Sequence, residues 1–375
     1  MRVLMFNRST IHTMPGGDVV QMLKTRTALE LNGIEVDIAT PDDMPTRYDY
    51  AVVHLFNIQV YEDSIFGLEW ALKHNIPTVL SPIFWDLNAF YAYKAIHSDT
   101  KWKTVKAILG ELNTFALYQH WQKIKRKFPL MTHSRTGLNL QKRLLLECKI
   151  ILPNASSEAS LIQDYFALPT EWHQKVHLVP NGIDRKLFTD INPDTDIIQK
   201  YGLNKCILQV GWIGESKNQL GLIRGLVDFP GKIVLIGQPS PQESKYYLAC
   251  QEEASKRGNV VFIGHLPHEE LPPIYQAAGV HVLPSWRETP GLASLEAAAA
   301  GCKVVSTSIG SAKEYFGEAA WYCHPMNLLS IKKAVSQASS APTSENLRKT
   351  IIDRFTWDRA ASESLNGYQM ALDRV

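Results

Sequence analysis

The sequence predicts an α/β protein built from two Rossmann-like domains that meet at a cleft. Three observations carry this reading. Short apolar runs of the kind that form buried parallel strands alternate with longer helical patterns. The 375 residues are long for one core and comfortable for two. The same strand-helix grammar runs through both halves, with a polar, turn-rich break between them.

In chain order, strands are expected at Arg2–Asn7, Glu35–Thr40, Ala51–Phe56, Pro77–Leu80, Lys149–Pro153 and Val176–Val179, with a first helix at Val19–Leu31. The break lies near Asn181-Gly182-Ile183-Asp184, before the polar stretch Asp190–Lys200. Beyond it come strands at Cys206–Gly211, Lys232–Gly237, Val260–Gly264, Val280–Pro284 and Lys303–Ser306, and a weaker one at Trp321–Cys323. Helices are expected at Gln219–Val227, Leu271–Ala278, Leu292–Ala300 and Ala360–Leu372. Ligands of such sheets bind beyond the carboxyl ends of the strands, so the strand-to-helix loops are where chemistry is sought.

Composition narrows the function. Hydrophobic residues are 45% and charged residues 20%, which suits a folded protein rather than a disordered polymer. Thirty-nine Lys and Arg against thirty-seven Asp and Glu leave +2, so the chain is no polycation built for DNA. No apolar run approaches a membrane span, and MRVLMFNRST reads as a buried strand rather than a signal peptide. Five cysteines without a CxxC (Cys148, Cys206, Cys250, Cys302, Cys323) read as reduced core thiols of a cytoplasmic protein. The sequons at Asn7 and Asn154 are read as chance occurrences.

Charge is nevertheless polarised. Lys94–Arg143 holds eleven Lys and Arg against two Asp and Glu, interleaved with Trp102, Phe115, Tyr118, Trp121 and Phe128. Such a segment suits an anionic membrane face or an anionic acceptor; a solvated helical hairpin with inward aromatics is the other reading.

The most informative stretch is Ser285–Gly301, SWRETPGLASLEAAAAG. A strand ends at Pro284, a loop with Pro290 and Gly291 follows, and an alanine-rich helix opens near Leu292. Backbone N–H groups at that N-terminus form an anion site. Glu288 and Glu296 flank it, and paired carboxylates beside a phosphate site suit the hydroxyls of a nucleotide sugar, one for the sugar and one for the ribose.

Here the sequence resembles a family. Glu288-x7-Glu296 within E-x-x-G-L-x-x-L-E-A looks like the donor-site signature of family 4 glycosyltransferases of the GT-B fold. Gly16-Gly17 resembles the family's N-terminal glycine loop, Val179-Pro-Asn-Gly-Ile-Asp184 its junction element, and Val210-Gly211…Lys217-Asn218 its phosphate-binding turn. Asn259–Tyr275 resembles the stretch before the donor loop, and Phe355-Thr-Trp357 the start of a terminal helix that crosses back. The resemblance implies N-terminal acceptor and C-terminal donor domains, 1–184 and 185–355, with residues 356–375 returning to the first. It implies a retaining, metal-independent hexosyl transfer from a nucleoside diphosphate sugar, UDP- or GDP-linked, to a glycolipid, polysaccharide or other glycoconjugate. Lys217 and Glu288 are the catalytic residues implied. Gly16, Gly17, Gly211, Lys217, Pro290, Gly291, Leu292 and Glu296 are the implied donor-binding set. No resident cofactor or metal ligand is implied, and Asp42-Asp43 reads as a turn.

Two positions depart from the family pattern. Trp212 stands where an Arg is usual, and an indole does not replace a bidentate guanidinium; Arg287 is the nearby cation. The region Ser81–Asp86 lacks the usual His, leaving Asp86 and His133 to face the cleft. His54 reads as a satisfied core histidine, with the cleft wall as its alternative. The departures motivate a second reading, a catalytically weak GT-B homologue that binds nucleotide sugars or acts as a scaffold. A NAD-dependent dehydrogenase needs G-x-G-x-x-G after the first strand, and Asn7–Gly17 lacks it. No nucleic-acid module is visible.

Overall fold

The structure is a computed structural model. It describes the chain except residues 99, 111–112, 115–116, 119, 122–134, 193–195, 344 and 375. Phe115, Phe128 and His133 therefore lie outside the described residues. The chain divides into two units, Met1–Val179 with Ala361–Val375, and Pro180–Ala360.

The first unit carries a parallel sheet of β1 (Arg2–Phe6), β2 (Glu35–Ala39), β3 (Val52–Phe56), β4 (Thr78–Ser81) and β5 (Ile150–Ile151), in the order β2-β1-β3-β4-β5. Strands β3 and β4 are buried at every residue. A strand covered on both faces reads as an unbroken apolar run, which is why the sequence exposed it. Leu4, Phe6, Val53, Leu55 and Leu80 sit in one core cluster with Leu144, Ile162 and Trp172 from the helices.

Val176–Val179 is not a strand. Only Val176 bridges to Ile151, while the N–H groups of His177 and Val179 donate to the carbonyls of Ile151 and Pro153. Strand β5 is two residues long and Pro153 has no N–H to donate, so no ladder can extend alongside it.

Two buried polar groups shape this unit. Glu158 accepts the backbone N–H groups of Phe84 and Asn154, each at 2.7 Å, and so fixes the loop after β4, where Ile83 takes a positive φ of 48°. His54 is a core histidine: Nδ1 lies 2.8 Å from the Tyr368 hydroxyl and Nε2 2.9 Å from Ser81 Oγ. Burial lowers its pKa from 6.5 to about 3, so it is neutral in the fold. The unfolded chain takes up this proton below pH 6.5 and the folded chain does not until about pH 3, so stability falls as pH drops through that window. The slope approaches about 1.4 kcal/mol per pH unit for this one group. Urea denaturation of the first unit at pH 6.5 and pH 5 should show the loss, and His54→Gln should flatten it; equal slopes in both proteins refute the assignment.

The second unit carries β6 (Ile207–Val210), β7 (Ile233–Ile236), β8 (Val260–Ile263), β9 (Val280–Leu283), β10 (Lys303–Thr307) and β11 (Trp321–Cys323), all parallel, in the order β11-β10-β9-β6-β7-β8. From β6 the chain winds outward through β7 and β8, then returns to β9 on the other side of β6. That reversal is the sheet's topological switch point. Ile183 donates its N–H to the Phe355 carbonyl at 2.9 Å and accepts that of Trp357 at 3.2 Å, so the Asn181–Asp184 and Phe355–Trp357 elements pack together. The last helix, Trp357–Leu372, begins in this unit and ends in the first.

All five cysteines are buried and unpaired; burial pushes each thiol up to about 12. Asn7 and Asn154 are 1% and 2% exposed, so neither sequon presents an acceptor amide. None of the described helices is long and apolar enough to cross a membrane.

Candidate functional site

At the switch point the loops leaving β6 and β9 emerge side by side. They are stitched together. Gln209 Nε2 donates to the Lys217 carbonyl at 2.8 Å, Asn218 Nδ2 to the Pro284 carbonyl at 3.1 Å, and the Trp286 N–H to the Ser216 carbonyl at 2.9 Å. Asn218 sits at φ 59°, in the left-handed region that asparagine tolerates, and its amide also reaches the Pro325 carbonyl at 2.8 Å.

The stitching brings Lys217 and Glu288 together, Nζ to Oε1 at 2.6 Å. Glu288 is 5% exposed. Its other oxygen faces Gly291, where an added Cβ would stand 3.2 Å away. Its carbonyl accepts the Ser311 N–H at 3.0 Å from the loop after β10. The carboxylate is thus held between an ammonium and the start of the helix Leu292–Ala299. Gly291 is that helix's N-cap, at φ 87° and with no capping side chain; the Ser294 N–H donates to the Gly291 carbonyl at 2.9 Å, which leaves the amides of Leu292 and Ala293 for a ligand. The Thr289-Pro290 bond is cis.

Glu296, one turn into the helix, has a partner on each oxygen: His268 Nε2 at 2.8 Å from Oε1, and the Tyr275 hydroxyl donating to Oε2 at 3.2 Å. Tyr275 is fully buried; burial, then the Glu296 charge, raises its pKa well above 10 and keeps it a donor. His281 lies on β9 beneath this surface. Burial, reinforced by the charge of Lys217, lowers it to about 3; Nδ1 lies 3.5 Å from Ser294 Oγ, and Nε2 has no partner among the described residues.

Gly211 ends β6 at φ 140°. A Cβ at Gly237 would meet its carbonyl oxygen at 2.1 Å, so β6 and β7 leave the sheet in contact. Trp212 is half-buried, and its carbonyl accepts Gln219 Nε2 at 3.0 Å. Arg287 is half-buried.

Gly16 and Gly17 belong to the first unit, at the start of the helix Gly17–Leu31. The loop before them is pinned by Arg8, which spends all five of its N–H groups within the fold, on Asp18, Thr10 and Met14. Burial alone would raise the Asp18 carboxyl, but hydrogen bonds from Arg8 and Asn57 and the Arg8 charge hold it below the usual carboxylate value. Asp86 accepts the Asn88 N–H at 2.9 Å and so serves the start of the helix Asn88–Ser98.

The structure therefore gathers Lys217, Glu288, Pro290, Gly291 and Leu292, with Glu296 on the same helix. Sequence reasoning passed over Gln209, His268, Tyr275 and His281. The polar residues within the apolar runs of β6 and β9 were the available signal for two of them. Among the described residues no group of three or more His, Cys, Asp or Glu could hold a metal ion. A cavity of about 530 Å³, lined by Leu187, Asp190, Ile191, Glu269 and Pro272 among others, shares no residue with this site.

Residues 191–354 match the family model described as Glycosyl transferases group 1. The chain is 26% identical to an uncharacterised glycosyltransferase of Methanocaldococcus jannaschii, over 96% of each protein. It is equally similar, at 26% identity, to a D-inositol 3-phosphate glycosyltransferase of Corynebacterium aurimucosum, over 99% of this chain and 96% of that one. Among solved structures it resembles sucrose-phosphate synthase from Thermosynechococcus elongatus, with a TM-score of 0.74, 16% identity and full coverage of both chains. It also resembles Anabaena HepE crystallised with UDP-glucose, with a TM-score of 0.68, 17% identity, and 98% and 99% of the two chains covered.

Proposed function

We propose that this chain, whose residues 191–354 match the group 1 glycosyltransferase model and whose fold resembles that of sucrose-phosphate synthase, is a glycosyltransferase of the GT-B fold that moves a hexose from a nucleoside diphosphate sugar to an acceptor hydroxyl. Transfer proceeds with retention at the anomeric carbon and without a metal. The acceptor is a glycolipid, polysaccharide or other glycoconjugate, met by a cytoplasmic protein at the inner face of an anionic membrane. The juxtaposition of Lys217, Glu288 and the uncapped helix at Gly291 carries this reading.

Breaking the bond to the sugar leaves negative charge on the diphosphate. Fixed positive groups stabilise such a leaving group most where water is excluded. Lys217 and the amides at Leu292 supply that field. Glu288, released from Lys217, accepts hydrogen bonds from sugar hydroxyls, and Glu296 from those of the ribose. The departing phosphate takes the acceptor proton, so no separate general base is assigned. HepE was crystallised with UDP-glucose, which makes UDP-sugars the first donors to try.

A screen of UDP-, GDP- and ADP-sugars, using a lipid extract and simple glycosides as acceptors, tests the reading by product mass. Absence of transfer from every donor overturns it. His268 supplies a finer check, because it aims Glu296 without touching the transferred sugar. His268→Ala should raise the donor KM roughly tenfold, about 1.4 kcal/mol, while kcat changes little. An unchanged KM removes the ribose role from Glu296.

Trp212 favours a second reading, a weak or inactive homologue that still binds nucleotide sugars or serves as a scaffold. Tight donor binding by calorimetry without turnover would select it.

A further inference from the structure

We propose that His281 is a positioning residue for the donor. Its buried ring tethers the helix Leu292–Ala299 to β9 and braces Tyr275, and so sets where the Leu292 and Ala293 amides and Glu296 stand. The inference rests on the donor-site reading above and supplies that site's backing.

Side chains along β9 alternate between the two faces of its sheet. Val280 and Val282 enter a core cluster with Ile207 and Val305, which turns His281 and Leu283 to the opposite face. The helix Leu292–Ala299 covers that face. A Cβ added at Gly291 would stand 2.8 Å from Leu283 Cδ2, and Ser294 Oγ lies 3.5 Å from His281 Nδ1. The His281 and Tyr275 rings meet edge to face, with centroids 5.7 Å apart and planes at 76°. The Tyr275 hydroxyl in turn donates to Glu296 Oε2 at 3.2 Å. One ring thus touches both the helix that carries Glu296 and the tyrosine that holds it. His281, Ser294 and Tyr275 are each fully buried.

The chemistry suits a tether. The ring is uncharged at neutral pH, so with Nε2 protonated Nδ1 accepts the Ser294 hydroxyl. Among the described residues that hydroxyl has no other partner. Each member of the pair is unfavourable for the fold by itself. Serine is a poorer helix former than alanine, which fills most of this helix. Nε2 is left unpaired among the described residues, and an unpaired buried polar atom is destabilising. An aliphatic side chain at 281 with alanine at 294 would serve packing better. What the polar pair adds is a fixed register between strand and helix.

Three variants test the tether. Ser294→Ala removes the hydroxyl, His281→Phe keeps a ring but removes its nitrogens, and His281→Asn retains an amide oxygen that can accept the hydroxyl. Amide hydrogen exchange is read on the whole protein without donor, and KM is read with the donor accepted in the screen above. Ser294→Ala and His281→Phe should each speed exchange of the helical amides from Leu295 to Ala300 roughly fivefold. Each should raise the donor KM roughly fivefold while kcat changes little. The double variant should be no worse than either single one. His281→Asn should restore both readouts, and thermal unfolding should stay near wild type in all of them. Unchanged exchange in Ser294→Ala, additive losses, or no rescue by His281→Asn overturns the proposal. So does faster exchange spread evenly through the second unit with a lower unfolding temperature, which marks a merely structural role. Should His281→Phe not fold, Ser294→Ala decides by itself. If the screen finds no transfer, the glycosyltransferase reading falls while the exchange results still decide this one.

Discussion

Lys217→Ala is expected to lower the rate of sugar transfer by roughly a hundred- to a thousandfold, the loss typical of removing one preorganised group that stabilises developing charge. The fold should survive, because the lysine side chain is 31% exposed and its removal opens no cavity in the core. Glu288→Ala should cost at least as much, since it removes the partner of Lys217 together with the carboxylate assigned to the sugar hydroxyls. The two losses should not add. Each substitution already breaks the 2.6 Å pair, so the double variant should resemble the worse single one, as in other constellations that act as a unit. Initial rates and thermal unfolding measured on the same preparations check both parts. Turnover within a few-fold of wild type in either single variant removes the site assignment.

Gly310→Ala should be the most damaging small substitution. The residue sits at φ 111°, and an added Cβ would stand 1.9 Å from the Glu288 carbonyl oxygen. Either the loop after β10 or the loop carrying Glu288 must move, and the Ser311 N–H bond to that carbonyl must be lost. Strain and lost bonding together should cost roughly 2–4 kcal/mol of stability, and the displaced Glu288 should depress transfer as well. Gly264→Ala is the control: with no positive φ and nothing within 4 Å of the new carbon, it should change stability by no more than about 0.5 kcal/mol. Denaturant midpoints separate the two. Equal small effects show that the loops do not depend on each other.

The sheets were legible because parallel strands covered on both faces leave unbroken apolar runs, and eleven of the twelve expected strands formed. The twelfth, Val176–Val179, had the composition of a strand but only a two-residue neighbour to pair with. Several helices escaped notice, among them Tyr61–Lys73, Ser156–Phe166 and Leu328–Ser340, since their apolar stripes are interrupted by polar residues and the packing that stabilises them is tertiary. Lys217, Glu288 and Glu296 could be picked out because loops at strand ends concentrate glycine, proline and charge. His268 could not, because its relation to Glu296 spans 28 residues and follows only from how two helices pack. Gln209 was hidden inside β6, where it reads as an oddity of an apolar run until its partner, the Lys217 carbonyl, is known.

The Lys217–Glu288 contact also bears on which anions the site should favour. An ammonium whose charge is already cancelled at 2.6 Å exerts little pull on inorganic phosphate, sulfate or free nucleoside monophosphates in the surrounding solution. Prising the couple apart leaves both members orphaned unless the newcomer brings an anion for one and a polyol for the other. If the pair holds the donor as proposed, its mutual neutralisation should favour molecules that offer an anion and a polyol together over simple salts.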